Sequence, residues 1–148
     1  MKKIVIAICM FAAGFLWQPA GARSQQVFTM VCAVWTARAD GTVEPIRTSE
    51  EMTKRILGSF VCGAETIPGF PWPTRGYDVE VVDEHGVDLF GGRLHKRAAM
   101  VAQIARPQIG SWPATGDITI KITKNRIAGA QGIVKIFLSR VSAAGSTK

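Results

Sequence analysis

Long apolar runs are scarce in this chain. The one that exists, Ile4 to Trp17, carries no charge. At fourteen residues it falls short of the ~20 needed to cross a bilayer. Lys2 and Lys3 precede it, Pro19 breaks it, and Ala20-Gly21-Ala22 follows with small residues in A-x-A spacing. That is the build of a cleavable secretory signal. Residues 1–22 are therefore expected to be removed, leaving 23–148 as a periplasmic or secreted protein that is not embedded in a membrane. An uncleaved anchor is the alternative. Cys9 does not fit a lipoprotein site, because Ile8 stands where a small residue belongs.

Chemistry-bearing motifs are missing as well. There is no G-x-S-x-G, no P-loop and no C-x-x-C, and Gly129-Ala-Gln-Gly132 is not a dinucleotide fingerprint. The two histidines, His85 and His95, lack metal-ligand spacing. Asp83, Glu84 and Asp88 cluster in one short stretch but match no calcium loop. They read better as turn residues, so no metal and no cofactor is expected. Dense basic stretches are lacking too. Lys and Arg total 18 against 11 acidic residues, a charge of +7 that falls to +5 without Lys2 and Lys3. No Lys/Arg run exceeds two, which argues against a dedicated nucleic-acid surface.

Cysteine is sparse and even once Cys9 has gone: Cys32 and Cys62 remain. In an oxidising compartment they are expected to form one disulfide. Closing a loop of about 30 residues would contribute ~3–4 kcal/mol. The rival use is catalytic, a small hydrolase with Cys62 as nucleophile and a histidine as its base.

What is present is β-forming sequence. Residues 26–37 are rich in β-branched and aromatic types and predict a strand. Asp40-Gly41 turns the chain, and 42–47 returns. Tyr77–Val82, a turn at 83–86, and Val87–Phe90 predict a hairpin. Ile118, Ile120 and Ile122 alternate with Thr119, Lys121 and Thr123, the cleanest period of two in the chain. Residues 132–141 are apolar on both faces, as a central strand should be. Ser142–Lys148 reads as a frayed tail. No repeat or linker divides the chain, and six or seven short strands predict an all-β antiparallel sandwich with one disulfide, and room for one or two short helices.

Two segments are ambiguous. Thr48-Ser49-Glu50-Glu51 looks like a helix start, with Met52, Ile56 and Phe60 at helical spacing. However, Ile56, Gly58, Phe60 and Cys62 also share one strand face, and Gly58 weakens a helix by ~1 kcal/mol. Residues 93–105 suit a helix locally, up to Pro107. Between them, 66–76 holds Pro68, Pro71 and Pro73 around Phe70 and Trp72. It is expected to be irregular, since proline removes donors. Its prolines restrict the unbound chain and its aromatics make anchors. Phe70, Trp72 and the nearby Arg75 are thus the candidate binding residues. The alternative is that Trp72 caps the core.

One arrangement goes further. Trp35-Thr-Ala-Arg-Ala-Asp-Gly41 is followed by Gly76-Tyr-Asp-Val-Glu-Val-Val-Asp-Glu-His-Gly-Val-Asp-Leu-Phe-Gly-Gly92. The chain then ends with Gly116-Asp-Ile-Thr-Ile-Lys-Ile-Thr and Gly132-Ile-Val-Lys-Ile-Phe-Leu. This resembles small β-sandwich structural proteins of tailed bacteriophages over most of residues 27–141, most specifically in the 77–92 hairpin. The resemblance implies a non-enzymatic, virion-associated role with a protein partner, through self-assembly or an envelope or virion surface. It also turns 52–62 into strand and 93–105 into loop or strand. A periplasmic inhibitor that inserts the 66–76 loop into a partner is the other binding role.

Overall fold

The computed structural model describes residues 25–142 apart from Ile109, with side chains for 26–140. The expected signal at 1–22 and most of the expected tail at 142–148 lie outside the described residues. Eight strands and one helix follow in order: β1 (Gln25–Thr36), β2 (Ile46–Arg47), α1 (Glu50–Ile56), β3 (Phe60–Pro68), β4 (Asp78–Val82), β5 (Gln103–Ala105), β6 (Trp112–Pro113), β7 (Thr119–Thr123) and β8 (Gln131–Ser142). They build the expected all-β sandwich of two antiparallel sheets. A five-stranded sheet runs β1-β8-β3-β5, with β6 also pairing β3, and a three-stranded sheet runs β2-β7-β4. Among the described residues no helix is long and apolar enough to cross a membrane.

The core forms where the two inner faces meet. Val31, Ala33 and Trp35 of β1, Val134, Ile136 and Leu138 of β8, and Val61 and Ala64 of β3 face Val79 and Val81 of β4 and Ile120 and Ile122 of β7. The period of two seen in 118–123 is therefore the inward face of the small sheet. Gly132 is required by close approach: a Cβ there would stand 2.7 Å from the Trp35 ring. A buried polar link joins the layers. Arg97 is 6% exposed and its Nε donates to Thr66 Oγ1 at 2.9 Å. Tyr77 stands beside both, and burial holds its phenol above the usual range despite Thr66 and Arg97.

The ambiguous segments divide rather than choose. Ser49 caps α1, its Oγ accepting from Met52 N at 3.2 Å. Glu50 and Glu51 sit in the first turn, and Lys54 and Arg55 in the last, the charge order the helix dipole favours. Gly58 then takes φ +73° and the chain enters β3. Residues 52–56 are helix, against the strand reading; residues 60–62 are strand, in line with it. The helix suggested locally for 93–105 is absent, and turns lead into β5 there. Two further corrections apply. Thr66 to Pro68 continue β3, with Pro68 tolerated because it ends the strand. The return arm 87–90 makes a single bridge, Val82 to Asp88, and then coils.

That coil shows why the 77–92 stretch has its composition. Asp83 Oδ1 accepts from His85 N and Val87 N, closing the turn. Asp88 accepts from Phe90 N and Gly92 N, closing the next. Asp78, 3% exposed, accepts from Lys96 N at 2.7 Å and pairs with Lys124 Nζ at 2.6 Å. Lys96 and Lys124 are the two non-glycine residues with left-handed backbone among those described, at φ 54° and 60°. One carboxylate thus tethers both. Burial acts to raise the Asp78 pKa, but the Lys124 ammonium and the Lys96 amide outweigh it and hold the group below the usual carboxylate range.

The disulfide expected between Cys32 and Cys62 is not formed. Cys32 pairs with Lys135 across β1–β8, and Cys62 lies at an irregularity of β3 beside Phe137. β8 runs between them. Two strand spacings alone are ~10 Å, more than the ~7 Å that a disulfide spans.

Candidate surface for partner binding

In β1, β8 and β3 the residues between the buried ones point away from the core. Their register sets them in rows across the sheet. Phe28, Ser139 and Phe60 form one row, followed by Met30, Phe137 and Gly63, then Cys32, Lys135 and Glu65, and finally Val34, Ile133 and Ile67. Ile104 of β5 extends the third row beyond Glu65. No described element covers these rows. Phe28 is 56% exposed, Val34 46%, Phe60 42% and Ile104 69%. The charged pair within the face satisfies itself, Lys135 Nζ standing 2.9 Å from Glu65 Oε2. The outer face of the large sheet is therefore apolar and open, where a solvated face would carry polar residues.

β1 also forms an open edge. Among the described residues it pairs only with β8, and Ala37 N donates to the opposite Ala130 O at 2.8 Å. That bond sets the phase of the ladder: odd residues of β1 bond to β8, and Phe28, Met30 and Val34 turn their amides and carbonyls outward. Edges are commonly blunted by lysine, proline or a bulge. Residues 25–36 contain no charge and no proline, and their register with β8 is unbroken.

The predicted binding residues Phe70, Trp72 and Arg75 lie on the β3–β4 connection, which leaves the same sheet where Pro68 meets Gly132. Phe70 is 75% exposed and Trp72 40% exposed; Arg75 is exposed as well. The two rings meet edge to face at 6.0 Å. Trp72 is thus not a core cap. The loop is nevertheless anchored. Gly69 N donates to Gln131 O and Gln131 N to Pro71 O. Thr74 N donates to Asn125 Oδ1 at 2.9 Å, while Asn125 Nδ2 donates to Gly41 O and Ile127 O. Asn125, 9% exposed, therefore ties together three loops that are far apart in sequence. Sequence reasoning missed it, because nothing local marks a residue whose partners stand 51 and 84 positions away.

The residues considered for catalysis are dispersed. Cys62 Sγ donates to the Phe137 carbonyl at 3.2 Å in the large sheet. His95 Nε2 lies 3.8 Å from Glu80 on the small sheet, and His85 Nε2 3.5 Å from Glu84. Of the carboxylates considered for calcium, Asp83 and Asp88 accept from backbone amides and hold their own turns, while Glu84 faces His85. Compared with protein-family models, curated proteins and solved structures, the chain matches none.

Proposed function

We propose that this chain is an exported, non-enzymatic structural or binding protein that works by protein–protein association, as the phage virion sandwiches it resembles would. The open apolar face of the large sheet carries this reading. An uncovered field of phenylalanine and branched side chains is unfavourable in water, and burying it against a partner recovers ~25 cal/mol per Å². The occupant is a second copy, paired edge to edge along β1. The strand is unblunted and uncharged, so two copies can approach without repulsion. Continuing the sheet across that edge would set Phe28, Met30 and Val34 of one copy beside those of the other and so bury the part of each apolar face that flanks the seam.

Sedimentation of the mature protein tests it. Association should rise with concentration, and Phe28→Ser with Val34→Ser should abolish it while the melting temperature stays within a few degrees. A wild-type chain monomeric at its solubility limit overturns the reading. Export is tested separately: protein recovered from the periplasm should begin within two residues of Arg23, and retention of Met1 would refute it.

A second reading, insertion of the 66–76 loop into a partner, is favoured by the exposed Phe70–Trp72 pair on a tied loop. Rigid aromatic anchors lose little entropy on contact.

A further inference from the structure

The sandwich is not filled where its two sheets part between β1 and β2. A cavity of about 230 Å³ opens there, walled by Val31 and Ala33 of β1, Ile46 of β2, Met52 of α1 and Ile120 of β7, with Arg47 beside it. The walls are core residues: Ile120, Ala33, Met52 and Val31 are each 5% exposed or less. Such a space is a poor home for water, which needs two to four polar partners. Left empty, it deprives its lining of dispersion contacts. A guest of matching shape restores them.

Size and charge narrow the guest. An apolar cavity of ~150 Å³ takes a benzene ring, so this one accommodates an alkyl chain of roughly eight carbons. The hydroxyls at its border are already in use. Thr48 Oγ1 accepts from Ile118 N at 3.0 Å, and Ser49 Oγ caps α1. Arg47 is different. Its side chain is 73% exposed, and one ion pair is formed, Nε to Asp117 Oδ2 at 2.8 Å. A guanidinium has five donors in a planar fork, suited to a second carboxylate. We propose that the cavity binds a medium-chain fatty acid, with its tail between the sheets and its carboxylate on Arg47. The site shares β1 with the association surface but is walled by the inward side chains Val31 and Ala33, whereas association uses the strand's outward edge and Phe28 and Val34.

Methyl NMR of the mature protein titrated with octanoate tests the proposal. One saturable site should appear, with shifts at Ile46, Met52 and Ile120. Octanol should bind more weakly, and Arg47→Gln should weaken octanoate about tenfold while leaving octanol unchanged. Ala33→Leu should fill the cavity and abolish binding of both. Ile46→Phe, on a short edge strand, gives the same test if Ala33→Leu does not fold. The proposal is overturned by the absence of a saturable shift, by shifts confined to the Phe28 and Val34 face, or by octanol binding as tightly as octanoate.

Discussion

The two sheets turn different surfaces outward. The small sheet shows Glu80 on β4 and Thr119, Lys121 and Thr123 on β7, while the large sheet shows Phe28, Met30, Val34, Ile133 and Phe137. The inner faces are alike, branched aliphatics packed against each other. Folding accounts for both inner faces and for the polar outer face. It does not account for the apolar one, which adds nothing to the core of a single chain. The difference separates residues kept by the fold from residues available for a partner, and substitution on the inner and outer faces of the large sheet can measure it.

The largest effect is expected from β8, between its two faces. Ile136 is fully buried, and Ile136→Ala should cost ~2–5 kcal/mol in unfolding free energy, as core truncations do. Phe28→Ala, on the outer face of the neighbouring strand, should stay within about 0.5 kcal/mol for the monomer and instead reduce association. Chemical denaturation and sedimentation of the same samples read the two quantities. Equal stability losses would erase the distinction between the faces.

A smaller loss tests the carboxylate beside the polar face. Asp78→Ala removes a charge-assisted bond to Lys96 N and the ion pair to Lys124, and should cost ~3 kcal/mol. Because the Asp78 pKa is lowered by folding, its stabilisation is present above the unfolded value near ~4 and is lost as pH falls through the folded value. Acid titration of stability should therefore show a shallower loss in the variant below about pH 4. An unchanged acid limb would mean that Lys96 and Lys124 hold their left-handed backbones without it.

These results would also show how much of the molecule is readable from sequence. The small sheet was legible because it alternates: Ile118, Ile120 and Ile122 point one way and their polar neighbours the other. The large sheet was legible as strand but misleading about burial. Residues 132–141 are apolar on both sides and imply a covered central strand; β8 is central within its sheet, yet one side of it is open. The helix at 50–56 is legible from Ser49 and its acidic first turn, whereas the strand that the resemblance implies for 52–62 begins only at residue 60. The Cys32–Cys62 bridge failed because parity says nothing about a strand lying between two cysteines. Asn125 was invisible because its bonds join loops distant in sequence.

Trp72 tests the loop at the end of the large sheet. A ring 40% exposed and edge to face with Phe70 has few core contacts to lose, while the Thr74–Asn125 and Gly69–Gln131 bonds hold the backbone without it. Trp72→Ala should therefore move the melting temperature by only a few degrees, corresponding to ~1 kcal/mol or less. A core cap would lose ~3–5 kcal/mol. Asn125→Ala should do the reverse, loosening three loops and leaving the Thr74 amide and the Gly41 and Ile127 carbonyls without their partner for ~1–3 kcal/mol, although it removes no aromatic surface. If Trp72→Ala proves more destabilising than Asn125→Ala, the aromatic loop belongs with the core, and the outer face of the large sheet stands alone as the contact surface.

The smallest effect is expected on the polar side and serves as the control for the whole comparison. Thr123 on β7 is exposed, with Asp78 as its opposite residue on β4. Thr123→Lys places a charge where the small sheet is already solvated, so stability should change by less than about 0.5 kcal/mol and association not at all. Val34→Lys places the same charge on the open edge strand of the large sheet. There it should leave the monomer folded and block pairing along β1, because two copies would bring the new ammonium groups together without counter-ions. The pair is matched in charge and differs in which sheet receives it, and in whether the strand is central or at the edge. Loss of association in both variants would assign the effect to net charge, and loss in neither would remove β1 from the interface.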